Sequence, residues 1–339
     1  MKTIILKQND KSIKLASEIL KKGEIVAIPT ETVYGLAGDS NNETAIKRIF
    51  EAKGRPSDNP LIVHIASLDM LEGIVGEFNE DAKKLADAFW PGPLTIVMPK
   101  GPKVCSAATG GLDSVGVRMP ANELARNIIK ESGVAFSAPS ANLSGKPSPT
   151  TAQDVFEDMN GRIPLIIDGG DCEAGVESTV ISVLKDIPTI LRPGIITKEE
   201  IEQVLNKEVL LAKGVTAGIS NDEPVLSPGM KYKHYAPNAK VTILKGSIEE
   251  FIKYVTLKKS ENTFVMCFDG EEKFMPVHAV SYGKIDDAKS QAHRLFSVLR
   301  EIDNKHAKEV FVRCPGQAGV SLAVYNRLIR SAGFNVIEL

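Results

Sequence analysis

The sequence predicts an α/β protein of two domains, with a twisted mixed sheet in the first and a small parallel, Rossmann-like sheet in the second. The chain has 339 residues, a length that suits two domains of ~100–200 residues each. Helical and strand patterns alternate in the first two thirds, with several short steps from strand to strand. A regular strand–helix alternation follows in the last third, which is typical of parallel βαβ units.

Helices in the N-terminal part are recognised by apolar residues at helical spacing. The first runs from Ser12, the expected N-cap, to Lys22, and Gly23 is expected to end it. The others are predicted over residues 42–52, 81–89, 121–132 and 198–205. Short apolar runs predict the strands, at residues 24–29, 61–65, 94–98, 115–118, 134–137, 165–168 and 179–184.

Turn-forming residues dominate residues 212–238, which we interpret as a linker between domains at residues 1–211 and 239–339. This segment also carries Lys231, Tyr232 and His234, which a plain flexible tether does not require. We therefore expect it to fold over a binding site as a lid.

The C-terminal part alternates cleanly between strands and helices. Strands are predicted over residues 241–244, 264–268, 310–312 and 336–337, and helices over 248–255, 286–302 and 321–331. This order predicts a parallel sheet with helices on both faces.

Composition excludes several classes of protein. The 41 basic and 43 acidic residues leave a net charge of −2, so any anion site must be local and there is no overall field for nucleic acid or anionic membrane. The four cysteines form no C-x-x-C pair, which disfavours a zinc ribbon or a disulfide framework. Because no signal-like or membrane-spanning apolar run occurs, we expect a cytoplasmic protein.

Polar and charged residues collect at the ends of predicted elements. Lys53 and Arg55 flank a glycine after the second helix, and Ser140 and Asn142 follow the strand at residues 134–137. At a spacing of two in extended chain, each pair shares a face. A lysine beside an arginine suits phosphate or carboxylate, although charges at a helix C-terminus also stabilise the helix dipole.

Other candidates have plainer alternatives. The Pro29–Leu36 segment has the hydroxyl residues and glycine of a ligand-facing loop, but it could be a turn whose hydroxyls bond their own backbone. His64 could be a core residue, and Arg118 could form a surface salt bridge. Arg192 is the fourth cation at an element end. No Walker A or G-x-G-x-x-G phosphate loop is present.

Taken together, Lys53-x-Arg55, Ser140-x-Asn142, the segment from Pro29 to Leu36 and Glu177-Ser-Thr-Val resemble the KxR…SxN signature of the YrdC/Sua5/YwlC family. The Ser227–Pro237 segment and the Rossmann-like part resemble the longer Sua5/YwlC type. The resemblance implies a YrdC-like α/β domain with a concave positive cavity. It also implies a nucleotidyltransferase that condenses L-threonine, bicarbonate and ATP to threonylcarbamoyl-AMP and pyrophosphate, for the t6A modification of tRNA at position 37.

The resemblance also implies residue roles. Lys53 and Arg55 would be catalytic. The residues that would hold L-threonine are Thr32, His64, Arg118, Ala138 and Ser178, with Arg118 on the carboxylate. Those that would hold ATP, the carbamate or pyrophosphate are Lys53, Arg55, Asn59, Ser114, Ser140, Asn142, Ser148, Arg192 and, from the linker, Tyr232. Mg²⁺ is expected to accompany ATP, held by phosphate and water without a named protein ligand.

Two other functions stay open from the sequence. An RNA-binding module could use the same basic cavity without catalysis, although the near-neutral charge and few aromatic residues disfavour broad RNA binding. A carbamoyl transferase, like the related domain of hydrogenase-maturation proteins, would need acylphosphatase and zinc-finger modules that this length and cysteine spacing do not allow. The resemblance also implies tRNA and the proteins of downstream t6A transfer as further partners.

Overall fold

A computed structural model describes residues 2–57, 59–215 and 235–339. Most of the predicted linker, including Tyr232 and His234, lies outside these residues. The larger sheet uses strands up to Leu211, and the smaller sheet begins at Lys240. Within the described part of the chain, no helix combines the length and the apolarity needed to cross a membrane.

The N-terminal domain is built on an eleven-stranded mixed sheet with the order β1-β8-β2-β3-β7-β4-β6-β5-β9-β10-β11. The sheet contains both parallel pairs, such as β4 with β6, and antiparallel pairs, such as β5 with β6. The strands are β1 Ile4–Lys7, β2 Val26–Ile28, β3 Gly35–Asp39, β4 Ile62–His64, β5 Leu94–Pro99, β6 Ser114–Arg118, β7 Phe136–Ser137, β8 Leu165–Asp168, β9 Thr179–Ser182, β10 Thr189–Arg192 and β11 Leu210–Leu211.

Seven α-helices among the described residues cover the two faces of this sheet. They are α1 Asp10–Lys21, α2 Glu43–Lys53, α3 Glu80–Phe89, α4 Ser106–Thr109, α5 Glu123–Ser132, α6 Ala152–Met159 and α7 Lys198–Leu205. Alternate residues of a strand pack to opposite sides: Val26 and Ile28 face α1 and α5, whereas Ala27 faces the larger cluster that includes α2, α3, α6 and α7. The predicted mixed sheet with packed helices is confirmed.

The start of α1 corrects one expectation. Asn9 is the N-cap, and Ser12, predicted for that position, is the third helical residue. The two form a capping box, in which Ser12 N–H donates to Asn9 Oδ1 and Asn9 N–H donates to Ser12 Oγ, both at 3.0 Å. Serine is a residue type that often caps helices, but the N-cap of α1 is Asn9, one turn before Ser12.

Several elements carry no clear local signal. Strand β3 reads Gly-Leu-Ala-Gly-Asp, without β-branched residues, and forms because it pairs with β2 and β7. Strands β1 and β10 and helices α4 and α6 were not predicted either. Strand β7 is shorter than expected, since only Phe136 and Ser137 pair with neighbours.

The C-terminal domain is a five-stranded sheet whose recorded pairs are all parallel, with the order β14-β13-β15-β12-β16. Its strands are β12 Lys240–Lys245, β13 Thr263–Cys267, β14 His278–Ser281, β15 Glu309–Arg313 and β16 Val336–Glu338, and its helices are α8 Ile248–Lys258, α9 Ala288–Asn304 and α10 Val320–Ser331. Helix α8 packs on one face and α9 and α10 on the other, which confirms the Rossmann-like prediction; only β14 was missed.

Helices α9 and α10 also contact the N-terminal domain. Arg300 of α9 donates to Pro147 O at 2.7 Å and to Asp158 Oδ2 at 2.8 Å. Gly175 lies so close to α9 that a Cβ on it would be 2.4 Å from His293 Cα, which requires a glycine there. The two domains are therefore joined by a packed, hydrogen-bonded interface.

Candidate active site

One cavity, of about 730 Å³ including its open mouth, brings most of the sequence-predicted site residues together. The predicted residues on its wall are Thr32, Lys53, Arg55, His64, Arg118, Ala138, Ser140, Asn142, Ser178 and Arg192. The four cations expected to converge therefore do so.

Sheet topology explains this convergence. Strands β4 and β6 run in parallel and end at His64 and Arg118, which are paired in register. The neighbouring strand β5 runs the opposite way, β9 is parallel to β5, and β10 is antiparallel to β9. The start of β9, which Ser178 precedes, and the end of β10 at Arg192 consequently reach the same edge of the sheet.

Arg118 joins this edge to the loop between β2 and β3. Its side chain is only 4% exposed, so the alternative of a surface salt bridge is wrong. Nη1 donates to Thr32 Oγ1 at 2.9 Å, Nε donates to Gly92 O at 3.2 Å, and Nη2 lies 2.6 Å from Glu31 Oε1. A guanidinium has five N–H groups, so two are left for a carboxylate ligand.

Glu31 compensates the charge of Arg118. Burial alone would raise the pKa of Glu31, but the charge of Arg118 and backbone N–H donors bring that pKa below its usual value. The neighbouring Thr30 Oγ1 donates to Val33 O at 2.7 Å, so it performs the turn role considered for this loop. Thr32 instead faces the cavity.

Lys53 is the last residue of helix α2, and Gly54 takes the left-handed conformation with φ 60°. The expectation that Lys53 and Arg55 share a face of extended chain is therefore wrong, although both line the cavity. The buried Lys53 Nζ donates to Ser140 O, to Asn142 O at 2.8 Å and to Asn142 Oδ1 at 3.4 Å. Burial and then the charge of Arg55 lower its pKa well below the usual value.

The Ser140–Asn142 pair is bonded internally in this structure. Ser140 Oγ donates to Asn142 Oδ1 at 2.6 Å, and Asn142 Nδ2 donates to the carbonyls of Leu143 and Lys146, both at 2.8 Å. Together with Lys53, these bonds fix the loop that follows β7. The loop thus presents Ser140 to the cavity on a rigid support.

Arg192 holds the opposite wall. Its Nε donates to Ser178 O and its Nη2 donates to Ser178 Oγ, both at 3.1 Å. Ser178 Oγ is also 2.8 Å from Thr95 Oγ1. Ser178 and Arg192 are therefore tied to each other by two hydrogen bonds.

His64 lies on the cavity wall, and Ile62 beside it shares that face of β4. The Nδ1 atom is 3.1 Å from Ile62 O, and the ring stacks on Phe136. Burial and then the charge of Arg118 lower the pKa of His64 to about 3. The imidazole is consequently neutral near pH 7.

This neutral histidine should make the protein less stable in mild acid. The unfolded chain protonates His64 near pH 6.5, whereas the folded chain does so only near pH 3. Stability should therefore fall as the pH drops below 6.5, by up to about 1.4 kcal/mol per pH unit from this group. Urea unfolding of wild type and His64→Gln between pH 7 and pH 5 measures the contribution. Equal pH slopes for both proteins would contradict it.

Three predicted residues are described but do not line the cavity. Ser148 Oγ donates to Glu177 Oε1 at 2.5 Å, Ser114 begins β6 opposite Pro99, and Asn59 is fully buried. Glu177 and Tyr235 are among the wall residues that were not predicted as site residues. Both belong to motifs that the sequence did single out, one directly before Ser178 and the other in the segment before Pro237.

Comparisons with known proteins agree with this site. A family model described as telomere recombination, Sua5/YciO/YrdC, matches residues 18–194, and a model for the C-terminal domain of threonylcarbamoyl-AMP synthase matches residues 196–333. A threonylcarbamoyl-AMP synthase of Bacillus subtilis is 45% identical over 337 residues, 98% of this chain and 96% of the relative. One of Pyrococcus abyssi is 43% identical and covers 96% of each chain.

A solved structure supports the same assignment. The crystal structure of P. abyssi Sua5 complexed with L-threonine superposes with a TM-score of 0.90 at 41% identity and covers 100% of both chains. The resemblance inferred from the sequence motifs is thereby confirmed. With two family models along its length and full-length relatives of one name, the chain belongs to the Sua5/YciO/YrdC family, as a two-domain protein of the threonylcarbamoyl-AMP synthase type.

Proposed function

We propose that this protein condenses L-threonine, bicarbonate and ATP to threonylcarbamoyl-AMP and releases pyrophosphate, as a nucleotidyltransferase. The observation that carries the proposal is the convergence of Lys53, Arg55, Arg118 and Arg192 on one cavity. The threonine amine and bicarbonate give a carbamate and water. A carbamate oxygen then bonds to the α-phosphorus of ATP as the bond to pyrophosphate breaks.

The two reacting groups in this step are both anions, so their repulsion is the main barrier. Fixed cations in a cavity lined mostly by buried residues lower that barrier more than the same charges do in water. Three of the four basic side chains, Lys53, Arg118 and Arg192, are buried and held by hydrogen bonds before substrate arrives, so little reorganisation of them is needed. No covalent nucleophile is required.

Residue roles follow from position on the wall. We assign L-threonine to the region of Thr32, His64, Arg118, Ala138 and Ser178, with its carboxylate on the two remaining N–H groups of Arg118. We assign the phosphates and the carbamate to the region of Lys53, Arg55, Ser140, Asn142 and Arg192. Because its pKa is about 3, His64 is too weak a base to deprotonate an ammonium and serves as a hydrogen-bonding partner.

Mg²⁺ would supply further positive charge on the triphosphate. Among the described residues, no cluster of three histidine, cysteine or acidic side chains could hold a metal ion. Glu177, a carboxylate on the cavity wall, is already bonded to Ser148 and Arg327. This donor set fits an ion that binds chiefly to phosphate and water.

Omission of single substrates tests the proposal. Pyrophosphate release should need ATP, L-threonine and bicarbonate together, with degassed, bicarbonate-free buffer and D-threonine as controls. Threonylcarbamoyl-AMP should form in equal amount to pyrophosphate, measured by liquid chromatography and mass spectrometry. ATP turnover indifferent to threonine would refute the proposal, as would tight, salt-sensitive tRNA binding without any pyrophosphate release.

The chemistry of the product indicates which proteins would use it and where. Its anhydride bond is hydrolytically weak, so we propose direct use by proteins that transfer the threonylcarbamoyl group to tRNA. For the same use we propose a cytoplasmic location.

A further inference from the structure

The C-terminal domain reaches the active site through one fully buried arginine. Arg327 of α10 has 0% exposure. Its Nε donates to Glu177 Oε2 at 3.0 Å, its Nη2 donates to Glu177 O at 3.2 Å, and its Nη1 donates to Pro193 O at 2.6 Å. One planar guanidinium thus binds three oxygens of the other domain.

These oxygens belong to the two segments that carry one wall of the cavity. Glu177 directly precedes Ser178, and Pro193 directly follows Arg192. Arg192 in turn donates two hydrogen bonds to Ser178. Arg327 therefore closes a ring of hydrogen bonds around the start of β9 and the end of β10.

The last described segment before β12 joins the same cluster. The ring of Tyr235 lies 5.9 Å from the Arg327 guanidinium, packs on Phe296 of α9 and lines the cavity. Ala236 N–H donates to Gly145 O at 2.8 Å on the opposite wall. Arg327 of α10 therefore lies against a segment, Tyr235–Ala236, that contacts both walls of the cavity.

Stability alone is a poor explanation for this arginine. A buried ion pair gains little over well-packed apolar side chains, because removing both charges from water offsets their attraction. A guanidinium does what an apolar side chain cannot: it sets the distances between a carboxylate and two carbonyls.

We propose that Arg327 is a positioning residue of the active site, which holds Ser178 and Arg192 at the spacing that the reaction needs. The proposal rests on the synthase function given above. A displacement of about 1 Å in such groups can reduce a rate about 100-fold. The C-terminal domain is on this view a structural part of the catalytic site.

Arg327→Lys keeps the positive charge and loses the three-way geometry, so kcat should fall at least about 10-fold. The matched control is Arg313→Lys. Arg313 is also a buried arginine of this domain, and its hydrogen bonds to Glu271 and Gly246 O lie within the C-terminal domain. That variant should keep kcat within about twofold. Rates and KM values for threonine and ATP are measured where circular dichroism shows each variant folded.

A second pair of variants tests the same inference if Arg327→Lys does not fold. Glu177→Asp keeps the charge but shortens the link, and should also lower kcat about 10-fold, whereas Glu271→Asp should not. Because both changes break one link, the Arg327→Lys/Glu177→Asp double variant should lose little more than either single one.

Two outcomes would overturn the inference. One is wild-type kcat in folded Arg327→Lys or Glu177→Asp. The other is a loss in the Arg313 and Glu271 controls that equals the loss in their counterparts, which would reduce the role to stability. Failure of the synthase function is seen separately, because wild type itself would then release no threonine-dependent pyrophosphate.

Discussion

Lys53→Met is expected to lower kcat about 100–1,000-fold, because it removes a fixed positive charge from the cavity together with the bonds that hold the Ser140–Asn142 loop. The ammonium is buried, and it bonds two carbonyls and one amide oxygen of the Ser140–Asn142 loop. Methionine has a similar shape but neither charge nor donors. The loop carbonyls would lose their partners at the same time as the cavity loses positive charge.

Pyrophosphate release at saturating ATP and threonine measures this effect. Lys146→Met is the matched control. Lys146 lies shortly after the Ser140–Asn142 loop, but its side chain is 43% exposed and its Nζ is 3.3 Å from Asp158 Oδ1. We expect that control to keep its rate within about twofold. Nearly normal turnover in Lys53→Met would remove Lys53 from the mechanism, whatever its effect on stability.

Arg118→Met should cost about 3–5 kcal/mol in the free energy of unfolding, because it leaves the Glu31 carboxylate buried without its cation. The ion pair is 2.6 Å long, with side chains 4% and 11% exposed. The surface pair of Arg48 and Glu24, both 37% exposed, is the control, and Arg48→Met should cost under about 1 kcal/mol. Urea denaturation measures both.

A double variant separates stability from substrate binding. Glu31→Gln in the Arg118→Met background removes the stranded charge and should restore part of the lost stability. It should not restore threonine binding, because the donors proposed for the threonine carboxylate are still missing. Calorimetry with L-threonine checks this. Recovery of threonine affinity in the double variant would show that Arg118 acts only through Glu31.

Local sequence signals were sufficient for elements with a clear pattern of residues along the chain. The helix at residues 198–205 was predicted with its observed bounds, and its capping box of Thr197 and Glu200 is present. Strand β8 was likewise found at residues 165–168. Strand β3 could not be found this way, since its glycines are held in the sheet by pairing with chain distant in sequence.

The residues of the site could likewise be predicted where a local pattern marked them, but their orientations and long-range partners could not. Strand and helix ends indicated which cations converge, because sheet topology places such ends together. The sequence pattern could not show how Lys53 and Arg55 are oriented relative to each other, since the chain turns between them at one left-handed residue, Gly54. Nor could it assign Glu177 and Arg327 to each other across 150 positions.

The glycine at position 175 and the arginine at position 327 together restrict how the two domains can be recombined. A chimera that joins the first 215 residues to an unrelated C-terminal module would need a helix that tolerates a backbone approach as close as that of Gly175 to α9. It would also need a guanidinium at the depth of Arg327. Module exchange in the laboratory, or gene fusion in evolution, is thus limited to donors that already carry both halves of this joint.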